Sequence, residues 1–217
     1  MRIAPSILSA DFSRLASEIE RVEHAGAHQL HLDVMDGHYV PTLTFGPMVV
    51  EAIRRSTRLP LDVHLMIEDA DRWVDAFVDA GADMIAFHPE SIHHPHLVLT
   101  SIQKRGKKAG LALNPGLSHA SVEELLPLAN YAIIMSVNPG WGGQNFIEGS
   151  FERAQRLRRF ALENRLSLDI EIDGGMNAER VPRAALAGID VVIAGSAIFK
   201  AKDPEAVVRQ MLSAVPV

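Results

Sequence analysis

The chain has 217 residues, of which 47% are hydrophobic and 22% charged, a balance typical of one globular domain with a sizeable core. Its net charge of -6 argues against nucleic acid as the main partner, because a protein that binds the phosphate backbone usually presents a basic face. The absence of cysteine excludes a disulfide framework, so any metal ion would be held by nitrogen and oxygen ligands.

Eight short apolar segments recur along the chain, and each has the length of a β-strand. Several are rich in β-branched residues, which favour strands. The spacing from one segment to the next is mostly that of a strand–helix–strand unit. The predicted strands cover residues 3–8, 29–35, 60–66, 83–88, 109–114, 131–137, 167–173 and 190–195.

The segments between these strands carry apolar residues at helical spacing. Three clear examples are residues 12–26, 71–83 and 150–164. Several of these helices are expected to end at an Ala-Gly pair, because glycine is the common residue just beyond a helix C-terminus. The apolar faces are formed by Leu15, Ile19 and Val22, by Trp73, Phe77 and Ala80, and by Phe151, Ala154, Leu157 and Ala161.

Eight strand–helix units without a linker predict an α/β fold, a (β/α)₈ TIM barrel formed by residues 1–217 as a single domain. A doubly wound sheet is the second interpretation. It would normally have a glycine-rich turn after the first strand, and "ILSADFS" has none.

Ionisable residues lie at the ends of three predicted strands. His31 and Asp33 share a face of the second strand, His64 follows on the third, and Asp173 ends the seventh. The interior of such a barrel is normally filled by branched aliphatic residues, and active sites form at the C-terminal ends of the strands. Two imidazoles and two carboxylates predict a site for one divalent ion such as Zn²⁺, Fe²⁺, Mn²⁺ or Co²⁺.

Asp33 and Asp173 are also candidate proton carriers. Their strands lie apart around the ring, so the two carboxylates could reach opposite faces of a substrate bound over the barrel mouth. One would remove a proton next to a carbonyl and the other would return one, with a metal ion stabilising the enediolate between these steps. A metal-dependent hydrolase and a non-catalytic barrel that binds a phosphorylated ligand remain open alternatives.

Other polar residues near strand ends are not predicted to bind the metal ion directly. Asp36, before Gly37, is interpreted as a turn residue, and "HHPH" at 93–96 as a solvated loop. His88 and Glu90, after the fourth strand, are candidate partners of the metal ligands.

Three consecutive loops, after strands six, seven and eight, are rich in small residues. They contain "NPGWGGQNF", "DGGMN" and "GSAIF". Barrels often bind phosphate in the loops after strands seven and eight, so these loops predict a phosphate site. The candidate residues are Gly142, Gly143, Gly175, Gly195 and Ser196.

With these features assembled, the chain resembles the ribulose-phosphate 3-epimerase family. The resemblance runs from "APSILSADF" to "AGSAIF" and includes "HLDVMDGHYVP", "DVHLM", "NPGWGGQ" and "IDGG" in the same order. It implies an isomerase of carbohydrate metabolism, in the pentose phosphate pathway, that interconverts D-ribulose 5-phosphate and D-xylulose 5-phosphate by inversion at C3.

The resemblance also assigns residues. It implies that Asp33 and Asp173 are the two catalytic acid–bases, and that His31, Asp33, His64 and Asp173 hold the metal ion. The methionines around the reacting carbons would be Met35, Met66 and Met135. The implied substrate contacts are Ser6, His64, Gly140, Trp141, Gly142, Gly143, Asp173, Gly174, Gly175, Gly195 and Ser196.

Four residues depart from the common family pattern, namely Thr42, the adjacent Gly116 and Leu117, and Trp141. The Gly116-Leu117 pair is expected near the barrel mouth and leaves the choice of substrate open, and an epimerase of the six-carbon ketose phosphate allulose 6-phosphate, which shares much of this pattern, is the alternative. We expect a small phosphorylated ketose as partner, with neither nucleic acid nor membrane. No signal-peptide pattern or long apolar run occurs, so we expect a cytoplasmic protein, and a homo-oligomer is compatible with the sequence.

Overall fold

The structure is a computed structural model that describes residues 1–215. Eight parallel strands form one sheet in the order β1-β8-β7-β6-β5-β4-β3-β2, which is the sequential order of a barrel. The predicted (β/α)₈ architecture is therefore confirmed. The strands are β1 (Arg2–Pro5), β2 (Leu30–Met35), β3 (Leu61–Met66), β4 (Met84–Phe87), β5 (Lys108–Leu113), β6 (Tyr131–Met135), β7 (Asp169–Asp173) and β8 (Val191–Ala194).

Helices surround the sheet, except between β5 and β6, where the chain forms only two short 3₁₀ turns. In residues 1–215 no helix combines the length and the apolar character needed to cross a membrane. The helices are α1 (Leu15–His24), α2 (Pro47–Ser56), α3 (Val74–Asp79), α4 (Pro95–Lys104), α5 (Ser150–Glu163), α6 (Val181–Leu186), α7 (Ser196–Phe199) and α8 (Pro204–Ser213).

The first and second strands meet at the seam of the barrel. Ser6, just after β1, forms an isolated parallel bridge with His31 of β2. The amide of His28 donates to the carbonyl of Ile3 at 3.0 Å. The seam therefore places the Ser6 side chain next to the ionisable end of β2.

All eight predicted strands are present, but most are shorter than their apolar segments. The first strand ends at Pro5, and residues 7–9 form a 3₁₀ turn instead of continuing it. Trp73 precedes α3 and is 47% exposed, whereas Phe77 and Ala80 of the same predicted face are buried. The glycines expected beyond three helices, Gly26, Gly81 and Gly188, all have positive φ.

The inside of the barrel differs from the layer between strands and helices. The outer layer is mainly aliphatic. The inner space holds small and apolar residues such as Ala4, Ala86, Ala112 and Ile133 on some strands. Buried ionisable side chains from β2, β3 and β7 fill the remainder, and this polar half of the interior contains the candidate site.

Candidate active site

The four predicted metal ligands lie together at the C-terminal end of the barrel. One ligand atom from each of His31, Asp33, His64 and Asp173 lies within 4.8 Å of the others. The register of β2 and β3 pairs Asp33 with His64, and alternation along β2 places His31 on the same face as Asp33. Parallel pairing and the period of two thus bring these side chains to one point.

The orientation of each imidazole is defined by its contacts. His31 Nε2 lies 3.4 Å from Asp33 Oδ1, and His64 Nδ1 lies 3.5 Å from the same oxygen. The two nitrogens are 3.3 Å apart. An N₂O₂ set of this size suits a divalent ion with bonds of about 2.0–2.2 Å, so these residues fit the predicted metal.

A buried carboxylate supports His31 from below. Asp62 Oδ2 lies 2.7 Å from His31 Nδ1, and Tyr131 donates its hydroxyl to Asp62 Oδ1 at 2.5 Å. Both residues are fully buried. Neither residue is a predicted site residue, although Asp62 shares a strand face with His64 and this alternation is the signal in the sequence that could have identified it.

A second buried chain of contacts supports His64. Its Nε2 lies 3.0 Å from His88 Nε2, which places His88 beside a predicted ligand as the sequence suggested. Burial lowers the pKa of His88 to about 4, so this ring is neutral near pH 7. Glu90 Oε1 accepts from Tyr39 at 3.0 Å and from Asn114 at 2.8 Å, which anchors the carboxylate at the rim.

Glu171 lies deeper in the barrel and was also missed. It is fully buried, and Gln29 donates to its Oε1 at 3.3 Å. Burial, reinforced by the Asp62 carboxylate, raises the pKa of Glu171 well above its usual range. A neutral Glu171 keeps the barrel interior from holding another unpaired charge.

The two predicted acid–bases have different environments. Burial by itself would raise the pKa of Asp33, but His31 and His64 hold it well below its usual range. Burial and the nearby Asp33 carboxylate raise the pKa of Asp173 to about 7. Without a metal ion, therefore, Asp33 is ionised at neutral pH, whereas Asp173 is about half protonated near pH 7. Ser6 donates to Asp33 Oδ2 at 2.5 Å.

A cavity opens above this cluster. Asp33 and Asp173 are exposed to it, whereas the fully buried His31 and His64 do not form its wall. The three methionines of the predicted pocket wall line it, as do all the predicted substrate contacts other than His64. These lining residues are Ser6, Met35, Met66, Met135, Gly140, Trp141, Gly142, Gly143, Asp173, Gly174, Gly175, Gly195 and Ser196.

Several residues lie away from this cavity. Asp36 accepts from the backbone amides of His38, Tyr39 and Glu68, so the turn interpretation is confirmed. The histidines of "HHPH" are exposed around the start of α4.

Of the departures from the family pattern, Thr42 and Leu117 do not line the cavity, while Trp141 does and is 50% exposed.

Comparisons with known proteins identify the family to which the chain is similar. The model of the ribulose-phosphate 3 epimerase family matches residues 2–199. A ribulose-phosphate 3-epimerase of Bacillus subtilis is 44% identical over 212 residues, covering 97% of this chain and 98% of the relative. One from Aquifex aeolicus is 46% identical over 219 residues, covering 99% of each.

Solved structures share the barrel fold at much lower identity. A 3-hexulose-6-phosphate synthase superposes with a TM-score of 0.77 at 18% identity, covering 100% of both chains. KGPDC from Streptococcus mutans superposes with a TM-score of 0.75 at 14% identity, covering 98% of this chain and 96% of its own. At these identities the likeness establishes the fold alone.

Proposed function

This chain belongs to the ribulose-phosphate 3-epimerase family and is an epimerase of a pentose phosphate, and we propose that Asp33 and Asp173 are its two proton carriers. The observation that supports this assignment is the convergence of two carboxylates at the cavity floor from β2 and β7. Their nearest ligand atoms lie within 4.8 Å, although β1 and β8 separate their strands.

Inversion at C3 needs a group on each face of the substrate. The C3–H bond breaks, its proton passes to one carboxylate, and its electron pair moves toward the C2 carbonyl to form an enediolate. The other carboxylate then delivers a proton to C3 from the opposite face. Asp33 and Asp173 are acidic side chains of the cavity wall, so both can exchange a proton with a bound substrate.

Ser6 has a defined part in this scheme. Asp33 Oδ1 faces the two histidines, so Oδ2 is the oxygen available for proton transfer. The Ser6 hydroxyl bonds that oxygen at 2.5 Å and holds the carboxylate plane in place. Ser6 also lines the cavity, where its hydroxyl can contact the substrate.

We infer that His31, Asp33, His64 and Asp173 hold one divalent ion of the group Zn²⁺, Fe²⁺, Mn²⁺ and Co²⁺. When bound, such an ion supplies positive charge that stabilises negative charge on the substrate oxygens. Asp33 and Asp173 each offer a second carboxylate oxygen, so one group can both hold the ion and transfer a proton.

The phosphate of the substrate is assigned to the glycine-rich part of the cavity wall. Loops after β6, β7 and β8 contribute Gly142, Gly175, Gly195 and Ser196. Small residues leave backbone amides open to an anion, and this is the common phosphate position in such barrels. The phosphate would then sit on one side of the cavity and C3 over the two aspartates.

The proposed function is tested by preparing metal-free protein and restoring it with each of the four ions. We expect at least one ion to support interconversion of D-ribulose 5-phosphate and D-xylulose 5-phosphate, followed by NMR, and slower turnover of D-allulose 6-phosphate. Binding of the pentose phosphates without turnover would favour a binding protein, and release of inorganic phosphate would favour a hydrolase. Faster turnover of the six-carbon substrate would overturn the pentose assignment.

A further inference from the structure

The buried ring of His88 contacts the predicted ligand His64 on the side away from the other ligands. We propose that His88, backed by Glu90, is a positioning residue that holds His64 in the tautomer able to bind the metal ion. The inference rests on the metal site of the proposed function. It assigns a role to two residues that do not themselves bind the ion.

The geometry distinguishes the two nitrogens of His64. Nδ1 faces the ligand cluster, 3.3 Å from His31 Nε2 and 3.5 Å from Asp33 Oδ1. Nε2 points the other way and lies 3.0 Å from His88 Nε2. Both rings are fully buried, so water does not compete for these contacts.

The proton positions follow from this arrangement. A neutral imidazole has one N–H and one bare nitrogen, and only the bare nitrogen can bind a metal ion. If Nδ1 of His64 is bare, its Nε2 carries the proton and donates to His88 Nε2. His88 must then be bare at Nε2 and carry its own proton on Nδ1.

Glu90 completes the chain of contacts. His88 Nδ1 is buried, has no hydrogen-bond partner within residues 1–215, and faces Glu90 Oε1 at 3.6 Å. A carboxylate there favours a proton on Nδ1 and therefore a bare Nε2. Tyr39 and Asn114 donate to the same oxygen, which fixes its position.

The ring of His88 also packs beside two other rings. Its centroid lies 4.9 Å from that of Tyr39 and 5.1 Å from that of His64. A residue that only filled space would need neither this orientation nor an acceptor at Nε2. Replacing His88 distinguishes a positioning role from a space-filling role. If His88 only filled space, a side chain of similar size would leave the metal affinity unchanged.

The test compares His88→Phe with His88→Gln, using Co²⁺ as the probe. Phenylalanine keeps a ring but offers His64 no acceptor, whereas glutamine can place its amide oxygen near the position of Nε2. Affinity is measured by competition with a chelating dye, and the visible spectrum of bound Co²⁺ reports the ligand geometry. His93→Phe, at an exposed position, serves as the surface control.

We expect His88→Phe to bind Co²⁺ about 10-fold or more weakly and with an altered spectrum, because loss of a partner of a metal-binding histidine typically has such an effect. His88→Gln should recover most of the affinity. In NMR spectra of metal-free protein, His64 should be protonated at Nε2 in wild type and mixed in His88→Phe. Equal affinity, spectrum and tautomer in His88→Phe and wild type would overturn the inference.

A second pair of variants, at Glu90, keeps the proposal testable if His88→Phe does not fold. Glu90→Met removes the carboxylate, while Glu90→Gln keeps an oxygen acceptor, so only Glu90→Met should weaken Co²⁺ binding. Equal binding by these two variants would contradict the role of Glu90. If wild-type protein bound no Co²⁺, the metal site of the proposed function would fail instead, which keeps the two failures distinct.

Discussion

The Asp62 carboxylate lies 2.7 Å from Nδ1 of His31, although both side chains are completely buried inside the barrel. A carboxylate at this nitrogen keeps a proton on Nδ1, so that Nε2, on the side of Asp33 and His64, is the nitrogen that can bind a metal ion. Asp62 thus orients His31 through Nδ1, while the neutral His88 contacts Nε2 of His64. The site depends on buried residues beyond its four predicted ligands.

Tyr131→Phe should lower the free energy of unfolding by about 1.5–3 kcal/mol, the usual range for a hydrogen bond to a charged group. The variant removes the hydroxyl that donates to Asp62 at 2.5 Å and leaves that oxygen buried without this donor. Urea unfolding measures the change. Tyr39→Phe, the matched control, removes a hydroxyl that also donates to a carboxylate but at a partly exposed position. An equal or greater loss of unfolding free energy in Tyr39→Phe would contradict the stabilising role of the buried Tyr131–Asp62 hydrogen bond.

Asp173→Asn should change how the stability of metal-free protein depends on pH. The pKa of Asp173 is about 7 in the folded protein against 3.8 as its reference, so folding favours the protonated form. This contribution to stability is complete below about pH 4 and is lost as pH rises toward 7. Asparagine stays neutral, so the melting temperature of the variant relative to wild type should be higher at pH 8 than at pH 5. Parallel curves would show that burial does not raise this pKa.

Gly195→Ala should raise the KM for D-ribulose 5-phosphate several-fold while protein stability changes little. The added methyl carbon would lie 3.0 Å from Ser9 Oγ at the proposed phosphate subsite and would narrow it. Gly116→Ala is the matched control, since a methyl group there meets nothing within 4 Å. Steady-state kinetics with both variants would measure the difference. Unchanged KM in Gly195→Ala would place the phosphate elsewhere.

Gly110→Ala should destabilise the barrel by about 1–3 kcal/mol or more, the range for overpacking a filled interior. A methyl carbon at this position of β5 would lie 2.4 Å from Cζ of Tyr131, whose ring fills the space beside the glycine. Thermal unfolding compares this variant with Gly149→Ala, where the methyl group meets no atom within 4 Å. Similar melting temperatures for the two would mean that Tyr131 moves aside without cost.

Much of the fold was predictable because each strand and helix carries a local signal. Alternation along β2 and helical spacing in α1 and α5 are properties of neighbouring residues, so they can be recognised in the sequence. Strand ends were less certain, since "IAPSIL" is apolar throughout and only the turn at residues 7–9 ends β1 at Pro5. Trp73 fits the apolar period of its segment but precedes α3 and remains 47% exposed.

The ligand positions were predictable because ionisable residues at strand ends are unusual. Asp62 and Tyr131 were not, because their contacts join residues 31 and 69 positions apart in the chain. Asp62 looks locally like any polar residue of a strand. His88 was recognised as a candidate partner, but its effect on His64 depends on which ring nitrogen faces which neighbour. That information exists only in the folded barrel.

The most direct test of the central claim follows C3 by NMR when the protein is incubated with D-ribulose 5-phosphate in D₂O. Wild-type protein, Asp33→Asn and Asp173→Asn are compared after their metal content has been measured. We predict that the wild type produces D-xylulose 5-phosphate with solvent deuterium at C3 and that neither metal-loaded variant produces the epimer. Near-normal epimerisation by either metal-loaded variant would contradict the two-carboxylate mechanism.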